Sequence, residues 1–171
     1  SEGGFVWAVP GIYENVGVLD VASMHPTSLI KMNYFGEYTD RYADLLKARM
    51  AIKHKKFDEA RTMLDGKLAP YLKDESQAKD LSYALKIVIN IVYGMTSAKF
   101  DNAFRHPKNK DNIVAKRGAL FMIDLKNACL AEGMEVVHIK TDSIKIANIT
   151  DADIKFVTDF GKDYGYDFEH E

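Results

Sequence analysis

The sequence predicts an α+β protein: a small antiparallel sheet with helices on one face, plus a separate helical lobe. Three observations carry this. Short strand-like runs lie near the two ends of the chain, at residues 5–9, 16–21, 135–140, 144–147 and 166–170. Residues 39–96 between them have helical periodicity and no strand signal. The composition, 47% hydrophobic and 28% charged over 171 residues, supports a packed core with a sub-lobe and argues against disorder.

The elements follow in order. Residues 5–9 read as a strand that Pro10-Gly11 ends. Residues 16–21, VGVLDV, read as a second strand. Pro26 suits the first turn of a helix reaching about Met32, where its missing N–H costs little. Residues 33–38 look like a turn. Thr39 or Asp40 can N-cap a long helix to about Lys56. Residues 57–64 continue it or form a second short helix, and Gly66 and Pro70 break the pattern. Another long helix covers about 76–96. Residues 101–112 are polar, contain Pro107, and form a loop or a small hairpin. A further helix fills about 112–131 and stops at Gly133. The runs 135–140 and 144–147, with Thr141-Asp142-Ser143 between them, have the shape of a hairpin with a carboxylate at its tip. Residues 150–153 begin as a capping box does, with a helical stripe of Ile154, Val157, Phe160 and Tyr164 behind them. A last strand occupies 166–170. There is no internal repeat.

No apolar run approaches the roughly 20 residues of a membrane span, so no membrane partner is expected. The N-terminal SEGGFVWAV lacks the basic region and apolar stretch of a secretory signal. The single Cys129 excludes an internal disulfide, fits a reducing, cytoplasmic compartment, and reads as helix core in NACLAEG. The net charge of −2 argues against a self-sufficient DNA-binding domain, which is usually basic. The charge is segregated, however. Arg41, Lys47, Arg49, Lys53, Lys55 and Lys56 crowd one stretch, and acidic residues gather after residue 150.

Three stretches carry chemistry. In GVLDVASMHPTSLI, Asp20 ends an apolar strand and a helix starts directly after it. Alone, such an aspartate is a solvated strand end. In VVHIKTDSIKI, Asp142 sits at a turn where Asp-Ser is ordinary turn chemistry. If the two strands are neighbours, the acidic tips share one sheet edge and suit a hard divalent cation. Mg²⁺ takes one or two carboxylates and completes its shell with water and substrate phosphates. In KDLSYALKIVINIVYG, Lys79, Lys86, Asn90 and Tyr93 share a helix face. Lysines there either snorkel at the rim or face an anionic substrate. Arg49, Lys53 and Lys56 form a matching stripe, which alone is simply a solvated face.

In combination these stretches resemble the motifs of family B DNA polymerases. DVASMHPTSLI is similar to the first palm motif, D-x-x-S-L-Y-P-S-I-I. KIVINIVYG resembles the fingers motif K-x-x-x-N-S-x-Y-G, and LLKARMAIK the fingers pattern L-L-x-x-R-x-x-x-K. HIKTDS resembles the second palm motif, Y-G-D-T-D-S, and EGGFV the Gly-Gly linker ahead of the palm. The order is the family's and the motifs span nearly the whole chain. The resemblance implies a palm over residues 1–38 and 97–171 and helical fingers over 39–96.

It also implies template-directed transfer of a deoxynucleotide from dNTP to a primer 3′-hydroxyl by a two-metal mechanism. Asp20, Asp142 and the backbone carbonyl of Val21 would hold two Mg²⁺ ions, for which Mn²⁺ can substitute. Arg49, Lys53 and Lys86 would grip the triphosphate, with Lys86 able to donate a proton to pyrophosphate. Ser23 and Met24 match positions whose backbone lies near the triphosphate; Asn90 and Tyr93 match positions near the nucleotide, and Gly94 and Thr141 positions near the primer–template DNA. The family's sugar-packing Tyr is His25 here, its motif Ser is Ile91, and its first hairpin Asp is Lys140. The resemblance thus implies either that sugar discrimination is lost or that an imidazole provides it, and it sets a positive charge beside the metal site.

The compact lobe resembles phage-type enzymes, whose setting is a bacterial or phage-infected cell. The resemblance further implies an exonuclease region before this chain and a thumb after it, so the fragment alone is expected to polymerise poorly. Two other classes stay open: a palm-type metal-dependent nuclease or nucleotidyl cyclase, and a decayed, non-enzymatic polymerase-like domain.

Overall fold

In the computed structural model, residues 4–35, 38–100, 102, 109 and 113–170 are described. The chain is α+β and divides into two compact units, Ser1–Ser28 with Asn112–Glu171, and Leu29–Asp111. The predicted loop at 101–112 lies almost wholly outside the described residues, as do Glu2 and Gly3 of the linker-like motif.

The first unit is built on five antiparallel strands: β1 (Val6–Ala8), β2 (Gly17–Val21), β3 (Glu135–Lys140), β4 (Ser143–Ala147) and β5 (Phe168–His170), in the order β1-β3-β4-β2-β5. Residues paired directly across antiparallel strands project to the same face. The register therefore gives each face a defined set of side chains. Trp7, Ile139, Ile144 and Leu19 form one transverse row on the inner face. Ile139, Ile144 and Leu19 are buried there with Val136, Ile146, Val157, Phe121, Met122 and Leu125. Helix α5 (Ile113–Ala131) packs on β3, and α6 (Asp151–Asp163) packs on α5 and β5. Gly133, at φ +83°, ends α5 in the left-handed conformation that glycine adopts without a Cβ penalty. The expected capping box forms: Thr150 accepts from the Asp153 amide, and the Asp153 carboxylate accepts from the Thr150 amide.

Helix α1 (Met24–Lys31) begins in this unit, with Pro26 in its first turn as expected. A Cβ on Gly118 would lie 2.5 Å from the Met24 sulfur, so the Met24 side chain packs into the space that this glycine leaves on α5.

The second unit is helical: α2 (Thr39–Lys53), α3 (Phe57–Thr62), single 3₁₀ turns at Leu64–Gly66 and Ala69–Tyr71, and α4 (Glu75–Thr96). Its core joins Ala48, Ala51 and Ile52 of α2 to Ala60, Leu68, Leu72, Ala78 and Leu85. The alanines let α2 and α4 approach, and the buried Tyr42 hydroxyl donates to the Ile89 carbonyl at 3.0 Å. Asp74 caps α4 by accepting from the Gln77 amide at 2.8 Å.

Two expectations are corrected here. Neither Thr39 nor Asp40 is the N-cap of α2; Tyr38 is, without a side-chain cap bond. The helix stops at Lys53, because Lys55 turns to φ +60°, so Lys56 lies outside it. Among the described residues, no helix is long and apolar enough to cross a membrane.

Candidate functional site

The β3–β4 hairpin closes through two residues, Thr141 and Asp142, since Lys140 pairs with Ser143. Thr141 takes φ +25°, positive at the first turn position, where a II′ hairpin would use glycine. A β-branched residue there is strained, by about 1–3 kcal/mol. On the neighbouring strand Asp20 pairs with Ser143, and the Val21 amide donates to the Asp142 carbonyl at 2.7 Å. The hairpin tip is thus tied to the end of β2, with the half-buried Asp20 and the exposed Asp142 on adjoining strand ends. Gly4, the described glycine of the linker-like motif, lies against this tip: its Cβ would stand 2.7 Å from the Thr141 Cα.

The sheet also supplies a carboxylate that sequence reading missed. Glu169 of β5 pairs directly with Asp20, so the two share a face. No local signal marks it, because the β2–β5 pairing joins residues far apart in sequence.

After Val21 the chain turns through Ser23, at φ +48°, and the Ser23 carbonyl accepts the first α1 bond from the Thr27 amide at 2.9 Å. The Val21 and Met24 side chains are buried in the core, leaving their backbone as the part open to a ligand role. His25 is half-buried. Burial holds its imidazole below the ordinary pKa, and the nearby Asp142 charge works against that shift. The ring is therefore neutral at pH 7. A buried hydroxyl relay braces this junction. Arg117 donates to the Tyr166 hydroxyl at 2.5 Å, Tyr166 and Ser28 share a bond of 2.7 Å, and Ser28 donates to the Met24 carbonyl at 2.9 Å. Because Arg117 can only donate, the Tyr166 proton points to Ser28.

In the second unit, α2 and α4 enclose a cleft of about 670 Å³. Arg49, Lys53 and Lys86 all line it, with Lys55 and Lys79 besides; Lys55 also pairs with Glu75 at 3.8 Å. Ile52, Phe57, Ala78 and Tyr83 give it apolar wall. Such a cleft favours an anion with an apolar part. Lys56, Asn90 and Tyr93 are not among its lining residues. Asn90 and Gly94 are exposed on α4, while Tyr93 is half-buried, with its hydroxyl pKa pushed up by burial.

Among the described residues, no three His, Cys, Asp or Glu side chains converge into a metal cage. The donors at the hairpin are hard oxygens on two neighbouring strand ends. That set fits Mg²⁺, which needs only one or two carboxylates when substrate phosphates and water complete its shell.

No protein-family model matches the chain, and no curated protein matches it. The fold is similar to that of the family B DNA polymerase from the hyperthermophilic archaeon Pyrobaculum calidifontis. The TM-score is 0.64 at 17% identity, over 98% of this chain and 25% of that one. The chain thus spans about a quarter of that polymerase's length.

Proposed function

We propose that the chain is the catalytic-core part of a DNA-directed DNA polymerase. Residues 1–38 and 97–171 would form its palm and residues 39–96 its fingers. The observation that carries this reading is the register between β2 and the β3–β4 hairpin, which joins the ends of the strands bearing Asp20 and Asp142. The polymerase-like fold and the cationic α2–α4 cleft support it.

Asp20, Asp142 and the Val21 carbonyl would hold Mg²⁺, which when bound supplies activation of a primer 3′-hydroxyl and charge neutralisation of a triphosphate. Arg49 and Lys53 on α2 and Lys86 on α4 bind the triphosphate of the incoming dNTP; a 22-residue helix holds Lys86 in place. Lys86 is also the proton donor for the pyrophosphate leaving group. The backbone of Ser23 and Met24 lies at the start of α1, where free N–H groups favour anions. His25 contacts the sugar with a neutral ring, Asn90 and Tyr93 flank the nucleotide, and Gly94 and Thr141 touch the primer–template. Exonuclease and thumb regions of the same protein would be its partners.

Primer extension by the full-length protein with Mg²⁺ or Mn²⁺ tests this. The expected result is template-directed incorporation that Asp20→Asn abolishes. Extension that survives Asp20→Asn, or production of cyclic nucleotide or cleaved DNA instead, refutes it.

A further inference from the structure

The outer face of the sheet carries a pattern that the carboxylates do not use. One transverse row runs across all five strands: Val6, Lys140, Ser143, Asp20 and Glu169. The next row holds Ala8, His138, Lys145 and Val18. Val6, Ala8 and Lys140 are exposed, so solvent reaches this face beside the hairpin. Lys140 stands two strands from Asp20, about 10 Å. Ser143 lies between them in the row, with a short, buried side chain.

Among the described residues, two lysines here make no ion pair and one histidine nitrogen makes no hydrogen bond. Neither Lys140 nor Lys145 takes part in an ion pair among the described residues, although carboxylates lie in the same row. His138 Nδ1 is buried without a hydrogen bond. The two rows are about 7 Å apart along the strands, close to the spacing of successive phosphates on an extended nucleic-acid strand.

We propose that Lys140, with Lys145 behind it, is a phosphodiester-binding strip that holds the primer strand whose 3′ end reaches Asp20 and Asp142. This rests on the polymerase reading. Its physical basis is charge complementarity: a strand entering a site of several carboxylates is repelled unless cations meet its backbone at the threshold. Lys140 is a positioning residue, acting through the primer and not on the reacting atoms.

The test is binding of a fluorescein-labelled primer–template to the full-length protein in EDTA, read by anisotropy across a salt series. Lys140→Gln is expected to weaken binding about 5–10-fold and to lower the salt slope by about one. Lys140→Gln with Lys145→Gln should lower the slope by about two. Lys140→Arg should bind as the wild type does. Lys162→Gln, on α6, controls for loss of any one positive charge. In steady-state extension, Lys140→Gln should raise KM for primer–template and leave both kcat and the KM for dNTP in place. Equal affinity and equal salt slope for wild type and Lys140→Gln would overturn the strip. So would a fall in kcat with KM for DNA unmoved. If the wild type binds DNA through Lys140 but does not extend it, the polymerase reading fails and the strip stands.

Discussion

The Val21 amide donates to the Asp142 carbonyl at 2.7 Å, one residue beyond the Asp20–Ser143 pair. The bond uses backbone alone, so the Asp142 side chain stays exposed and carries no packing duty. Asp142→Asn should therefore leave the melting temperature within about 2 °C of wild type while removing the charge. Incorporation in primer extension is expected to fall at least about 1,000-fold, roughly 4 kcal/mol of barrier. A large loss of melting temperature would mean that the side chain holds the fold.

Gly4→Ala attacks the same hairpin from the other side. The added Cβ meets the Thr141 Cα at 2.7 Å, which is backbone and cannot swing away. Either residues 4–8 or the tip must shift. The expected cost is about 1–3 kcal/mol in urea denaturation, together with weaker Mn²⁺ binding by isothermal titration. Unchanged stability and unchanged Mn²⁺ affinity would show that the contact at Thr141 is easily relieved.

What was legible in the sequence follows from the range of the interactions involved. The Thr141-Asp142 tip lies between two apolar runs, and a two-residue hairpin is a local event. The Thr150 capping box and the stop at Gly133 are local too, and both form. Glu169 beside Asp20 is hidden, because the β2–β5 pairing joins residues at opposite ends of the chain. The N-cap of α2, Tyr38, is not legible for a related reason. Thr39 has the right chemistry, but it is already inside the helix and buried, with its hydroxyl lacking a partner. On α4 the lysines and apolar residues alternate too closely for the buried face to be read. Leu85 and Ile89 go inward, while Tyr83, Ile87, Val88 and Ile91 stay exposed.

Tyr166 is fully buried, and its hydroxyl accepts from Arg117 and donates to Ser28. Tyr166→Phe keeps the ring in its aromatic cluster, 4.7 Å from the Phe121 centroid, and removes only the oxygen. It removes the acceptor of one Arg117 N–H and the donor to Ser28, which keeps its bond to the Met24 carbonyl. Destabilisation of about 1–3 kcal/mol is expected, as a shift of the urea midpoint with the m-value unchanged. A shift under about 0.5 kcal/mol would show that water replaces the hydroxyl.

Cys129 is fully buried, and its thiol pKa is pushed up to about 12 by burial, with Asp153 and Glu132 adding to the shift. The folded thiol is raised above its unfolded value, so the folded state binds the proton more tightly. Stability from this group is present at lower pH and is lost as pH rises from the ordinary thiol range toward about 12. At pH 8 the native thiolate is scarce, and reaction with a disulfide reagent should follow unfolding. The expected observation is a thiol rate that rises with urea in step with loss of circular dichroism. Rapid reaction in native buffer would mean that α5 opens locally.

His25 offers the most direct test of substrate choice. Its imidazole is half-buried, neutral at pH 7, and one turn before Ser28 on α1. In the proposed reading it stands where a flat side chain limits room for a 2′-hydroxyl. An imidazole is smaller than a phenol ring, so His25→Tyr should narrow that space. The ratio of kcat/KM for dNTP over rNTP is expected to rise about 10–100-fold, the range that steric differences of this size give. His25→Ala should lower the ratio, with kcat for dNTP largely kept. If all three proteins discriminate equally, the sugar is sensed elsewhere, and His25 serves only to pack α1 beside Asp142.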